Sequence, residues 1–122
     1  MNWHDEEGRI SRSRLPVEGP VTLVYPTVAV KVGLLEAIFL QQVHYNAQFS
    51  KTTIEGCKWF QCTNEGWLLQ IPFLSKSTIE RLIKSLHKRK LIEKKRFDHT
   101  GTYYRVRYDE LQKLLDVDIP PI

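Results

Sequence analysis

The stretch from Leu74 to Tyr108 constrains this chain more than any other. Ile79, Leu82, Ile83 and Leu86 fall at i, i+3, i+4 and i+7, the spacing of one helix face. At about 100° per residue, Ser77, Arg81, Lys84 and Lys88 fall on the opposite face. The spacing predicts a helix over residues 76–90, buried on one side and wet on the other. Ser75 suits its N-cap, and Ser77 with Glu80 offers an alternative capping box. Two β-prone runs follow, Leu91 to Phe97 and Thr102 to Tyr108, joined by Asp98-His99-Thr100-Gly101. Gly101 can supply the positive φ that so short a loop needs. Strand alternation sets Tyr104, Val106 and Tyr108 on an inward face and Tyr103, Arg105 and Arg107 on the other. Arg105 and Arg107 then either reach a phosphate or stay solvated.

Charge is unevenly spread over this frame. The 122-residue chain carries a formal +4, but Lys76 to Arg96 holds nine Lys or Arg against Glu80 and Glu93, a local +7. The remainder is therefore slightly acidic. A basic patch focused on one helix and one strand is a footprint for a polyanion, whereas a solubilising surface more often mixes its signs.

The preceding segment completes a motif. Thr63 or Asn64 can cap a short helix, Glu65 to Ile71, with Trp67, Leu68 and Ile71 turned inward and Pro72 ending it. A short helix, a tight turn and a basic amphipathic helix form the helix-turn-helix pattern, and the hairpin after it completes a winged helix-turn-helix. The expected class is α+β, mainly helical with a small antiparallel β-wing. On that reading Lys76, Ser77, Thr78 and Arg81 approach base edges, Lys84 and Lys88 meet phosphates, and Lys95, Arg96 and Arg105 extend the contact from the wing. Thr78 has the competing role of serving the cap.

The run from Tyr25 to Tyr45 resembles the opening helices of winged-helix proteins of phages and mobile elements of Gram-positive bacteria, similar to the N-terminal module of DnaD-type replication proteins. The resemblance rests on Gly33, Glu36 to Gln42, the Gln-Gln-x-His-Tyr run, Trp59, Trp67 and Ser75 to Ile79, and spans about residues 23–115. It implies a double-stranded DNA binder in replication initiation or regulation, with replication proteins as further partners. The Ser-x-Ser-Thr-Ile run is shared by many winged helices, transcriptional repressors included. The chain departs from that group at Asn46, where an aromatic is usual, and in stopping at Ile122, where the replication proteins continue into a second domain.

The expected organisation is an arm at 1–20, a winged-helix domain at 21–116, and a tail or truncated linker at 117–122. The arm contains Arg9-Ile-Ser-Arg-Ser-Arg14, which suits either a plain tail or a minor-groove contact. Tyr108 to Leu115 reads as a closing helix capped by Asp109. In the long helix, Leu34 to Phe49, one stripe holds Leu34, Ile38, Tyr45 and Phe49, while Phe39 and Val43 lie on a flank. Two apolar sides need two partners. Either the Cys57–Cys62 strand and the closing helix cover both, or a homodimer forms through Leu34, Phe39 and Val43.

Other functions have little support. Cys57 and Cys62 would point apart in a strand, and two thiols fall short of four zinc ligands. His4, His44, His87 and His99 are scattered, and there is no phosphate loop, nucleophile motif or carboxylate pair. Neither an enzyme nor a cofactor or metal is expected. With an acidic N-terminus and no run of about 18 apolar residues, the expected location is cytoplasmic, with no membrane partner. A winged helix used for protein contact is the remaining alternative, though it has no need for the local +7.

Overall fold

Helix α1 (Pro26–Val32) starts at a proline, whose fixed φ suits the first helical position. It stops at Gly33, with φ at 111°, where a Cβ would strike the Glu36 carboxylate. That glycine turns the chain directly into α2 (Leu34–Gln48). Strands β1 (Thr52–Ile54) and β2 (Cys57–Gln61) are joined by Glu55 and Gly56, both left-handed at φ 52° and 80°. Two positive φ angles make the tight turn whose twist matches a hairpin. Thr63 caps α3 (Asn64–Gln70), its hydroxyl accepting the Gly66 N–H at 3.0 Å. Then come α4 (Lys76–Lys88), β3 (Ile92–Arg96), β4 (Thr102–Val106) and α5 (Tyr108–Asp118).

The computed structural model describes residues 15–97 and 101–118. Among them, five helices and one antiparallel sheet of order β1-β2-β4-β3 make an α+β fold. The arm's basic run, the hairpin tip at 98–100 and the tail beyond 118 lie outside the described residues. Residues 15–25 carry no helix or strand and are exposed. None of the described helices is long and apolar enough to cross a membrane.

One face of the sheet carries the core. In register, Ile92 faces Val106, Lys94 faces Tyr104, and Phe60 faces Tyr104 from the other side. Helix α2 packs on β2 and β4 and α4 packs on β3, with α3 against α4. Phe39, Trp67, Ile71, Ile79, Leu82, Leu86 and Ile92 are fully buried between these layers. The predicted α4 stripe is buried throughout.

The long helix buries one of its two apolar sides. Leu34, Tyr45 and Phe49 are exposed, while Ala37, Phe39, Leu40, Val43 and Ala47 form the buried side. The alanines let the backbone approach the sheet closely, and Phe39 packs at a tilt against Trp67 of α3, 4.6 Å between ring centres. The Phe39 and Val43 side is thus covered within the chain, whereas Leu34, Tyr45 and Phe49 of the other side stay exposed. Phe39 and Val43 are 0% exposed, so neither is available to the homodimer surface predicted from them, and of that trio only Leu34 reaches solvent. Asn46 helps join α2 to α3, donating to the Gln70 side-chain carbonyl at 2.5 Å beside Gln42 at 2.8 Å.

Two further expectations are corrected at the end of β4. Tyr108 is not an inward strand residue. It begins α5, half exposed, with its hydroxyl 2.7 Å from His44 Nδ1. Asp109 accordingly sits inside the first turn of α5 instead of capping it. A hydrogen bond from Arg107 holds its carboxyl below the usual carboxylate range.

Helix α4 ends at Lys88, before the predicted residue 90. Lys90 N–H reaches the His87 carbonyl and Leu91 N–H the Leu86 carbonyl, a Schellman ending. It needs a left-handed residue at Lys90, whose φ is 62°. Lysine is strained there, so Lys90→Gly should stabilise the fold by roughly 0.5 to 1 kcal/mol despite glycine's extra unfolded-state entropy. Denaturant unfolding with an unchanged slope checks this. A loss of stability would show that the Lys90 side chain contributes more than its backbone strain costs.

Candidate nucleic-acid interface

Ser75 caps α4, its hydroxyl accepting the Thr78 N–H at 3.2 Å. The same hydroxyl lies 3.2 Å from Ser77 Oγ and donates to Thr78 Oγ1 at 3.0 Å. Of the two predicted cappings, the Ser75 one forms. Thr78 is half-buried and belongs to this cap network, whereas Ser77 is exposed beside it. Lys76, Arg81, Lys84 and Lys88 are exposed along the outer side of α4. Among the described residues, no ion pair neutralises any of these four cations. Two other members of the basic cluster have different places. Arg89 donates to the Val32 carbonyl at 3.0 Å and so closes the end of α1. Lys90 occupies the left-handed turn.

The hairpin divides its charges between two faces. Lys94 shares the core-side face with Ile92 and Tyr104, and so is turned toward α4. Lys95, Phe97, Tyr103 and Arg105 share the opposite face with Trp59. There Trp59 packs edge-on against Phe97 at 5.4 Å between ring centres, and Phe97 against Tyr103 at 5.3 Å. Lys95 Nζ lies 5.8 Å and Arg105 Cζ 5.5 Å from the centre of the Trp59 ring. Cations over an indole face are attracted by its quadrupole. Arg105 also forms an ion pair with Glu93 and donates to the Val106 carbonyl at 3.3 Å.

The predicted wing set therefore separates. Arg96 is exposed on the α4 side. Lys95 is exposed but turned away from α4, over Trp59. Arg105 is half-buried, with Glu93 and Trp59 as partners on its own chain. Lys94 is the residue that sequence reasoning passed over. The signal was present in the alternation, since Lys94 is two residues from the inward Ile92.

Between α4 and the hairpin runs a groove of about 400 Å³. Glu80, Lys84 and His87 line it from α4, Lys94 from β3 and Asn64 from the start of α3. Ile83 and Tyr104 form its apolar floor. Lys84 thus belongs both to the outer ridge and to the groove. In the core beside Tyr104, burial pushes the Cys62 thiol up to about 11, so it is protonated at neutral pH. Cys57 and Cys62 are both free thiols. The described residues contain no group of three or more His, Cys, Asp or Glu arranged to hold a metal.

Comparison with protein-family models, curated proteins and solved structures found no match for this chain.

Proposed function

We propose that this chain is a winged-helix DNA-binding protein of a phage or mobile element. It reads duplex DNA with α4 and steadies the backbone with the β3–β4 hairpin, in replication initiation or transcriptional regulation. The observation that carries this reading is the exposed, unneutralised ridge of Lys76, Arg81, Lys84 and Lys88. It stands on a helix whose other side is fully committed to the core. Such a helix presents its outer side without disturbing its packing, as major-groove entry requires. The first turn offers Ser77 to base edges, and the lysines and arginine offer donors to phosphates.

Titration of a labelled duplex at several salt concentrations tests the proposal. Neutralising about four to six phosphates makes log K fall with log salt at a slope of about −4 to −5. Binding indifferent to salt would refute it. Within the same assay, Ser77→Ala should change the ranking of duplex sequences more than their common affinity.

A further inference from the structure

We infer that the groove between α4 and β3 is a seat for one backbone phosphodiester, held by Lys84, His87 and Lys94. The hairpin's phosphate contact is then Lys94 and not Lys95. This deepens the duplex-binding proposal and rests on it.

The geometry comes from two periodicities meeting. Glu80, Lys84 and His87 follow one another at i, i+4 and i+7, so they form a single row on the edge of α4 nearest the hairpin. Lys94 enters the same groove from β3 because it alternates with Ile92 and pairs with Tyr104. Lys95 cannot join it without breaking that alternation, and its ammonium is already placed over Trp59. The lining is rich in donors. Lysine offers only N–H groups, and a histidine ring N–H and the Asn64 amide add others. Glu80 is the single carboxylate on the wall and, among the described residues, forms no ion pair with either lysine. The floor of Ile83 and Tyr104 is apolar, which lowers the local dielectric and strengthens attraction for an anion. A groove of about 400 Å³ has room for a phosphate with its attached sugar. It opens beside the outer ridge through Lys84, so a strand whose phosphates follow the ridge can place one here.

The test compares wild-type protein with Lys94→Ala, Lys95→Ala and the double variant Lys84→Ala with Lys94→Ala. Each is titrated with a labelled duplex across a salt series. Lys94→Ala should weaken every duplex sequence alike and flatten the salt slope by up to about one unit. The double variant should flatten it by no more than about one unit, because both lysines serve the same phosphate. Lys95→Ala should keep the slope and instead lower the melting temperature, through its lost contact with Trp59. A slope that flattens in Lys95→Ala but not in Lys94→Ala overturns the inference. So does a double variant that flattens it by about two units, which would mean separate phosphates. A parallel arm titrates inorganic phosphate and follows amide chemical shifts. Shifts at Asn64, Lys84, His87 and Lys94 that vanish in Lys94→Ala support the seat independently of DNA. If wild-type protein fails to bind duplex yet shows these shifts, the duplex proposal falls and the phosphate seat stands. If neither appears, both fall.

Discussion

Trp67→Ala should lower the unfolding free energy by about 3 to 5 kcal/mol, the range for removing a large buried aromatic. Trp67 is 0% exposed and joins three layers of the fold. Its ring lies 4.6 Å from Phe39 of α2, 5.5 Å from Phe60 of β2 and 5.4 Å from Tyr104 of β4, between centres. Truncation therefore opens a cavity where helix α3, helix α2 and the sheet meet. None of the three neighbours can fill it without leaving its own contacts. A domain of this size has a total stability of about 5 to 15 kcal/mol, so the variant loses a large share of it. Trp67→Phe should be much milder. It keeps most of the ring contact and removes a buried indole N–H that has no well-formed hydrogen bond among the described residues. Paired thermal and denaturant melts decide. An alanine variant that melts like wild type would mean that α3 does not anchor the core in solution.

The same residue shows why parts of the fold were legible in the sequence. Trp67 lies on a short helix bounded by a capping Thr63 and by Pro72, and both boundary signals act locally. Helix α4 was equally clear, because every position of its apolar stripe meets one partner surface while the opposite side meets water. Ser75 capped it as predicted, and Gly101 took the positive φ assigned to it, at 111°.

Helix α2 was not legible in this way. Apolar residues surround it, and the sequence alone does not say which neighbour covers which side. Leu34, Tyr45 and Phe49 read as one of two apolar sides needing cover, yet they are exposed. The true core side is marked by Ala37 and Ala47, whose small size permits close approach to the sheet. Strand β1 went unnoticed because it is only three residues long, although the Glu55-Gly56 turn before Cys57 was a usable sign of a hairpin.

At the candidate site, the helical half was readable and the hairpin half only partly so. The ridge residues follow from a single periodicity. The hairpin residues depend on which strand face meets α4, and adjacent lysines 94 and 95 look equivalent until Ile92 is used to set the phase. Arg105 could not be placed by alternation alone. Its surroundings are Trp59 and Glu93, brought to it from other strands.

Replacing Arg81, Lys84 and Lys88 together by alanine should weaken duplex binding by about 500-fold at 0.1 M salt, provided that each contacts one phosphate. Each phosphate contact contributes about 0.9 to the salt slope, so three contribute about 2.7 logarithmic units at that concentration. The slope itself should move from about −4 to −5 toward about −1.3 to −2.3. The variant is informative because it should not disturb the fold. All three side chains are exposed, and none makes a hydrogen bond or ion pair among the described residues. Alanine is at least as good a helix former as lysine or arginine. The buried stripe of Ile79, Leu82, Ile83 and Leu86 is left untouched. A melting temperature close to wild type, measured on the same preparation, makes any loss of binding attributable to the lost cations. If the full salt slope survives in a folded triple variant, the phosphate contacts lie elsewhere and α4 is not the reading helix. If affinity falls without any change in slope, the three residues act on bases or on the partner's shape, and the backbone role assigned to them is wrong.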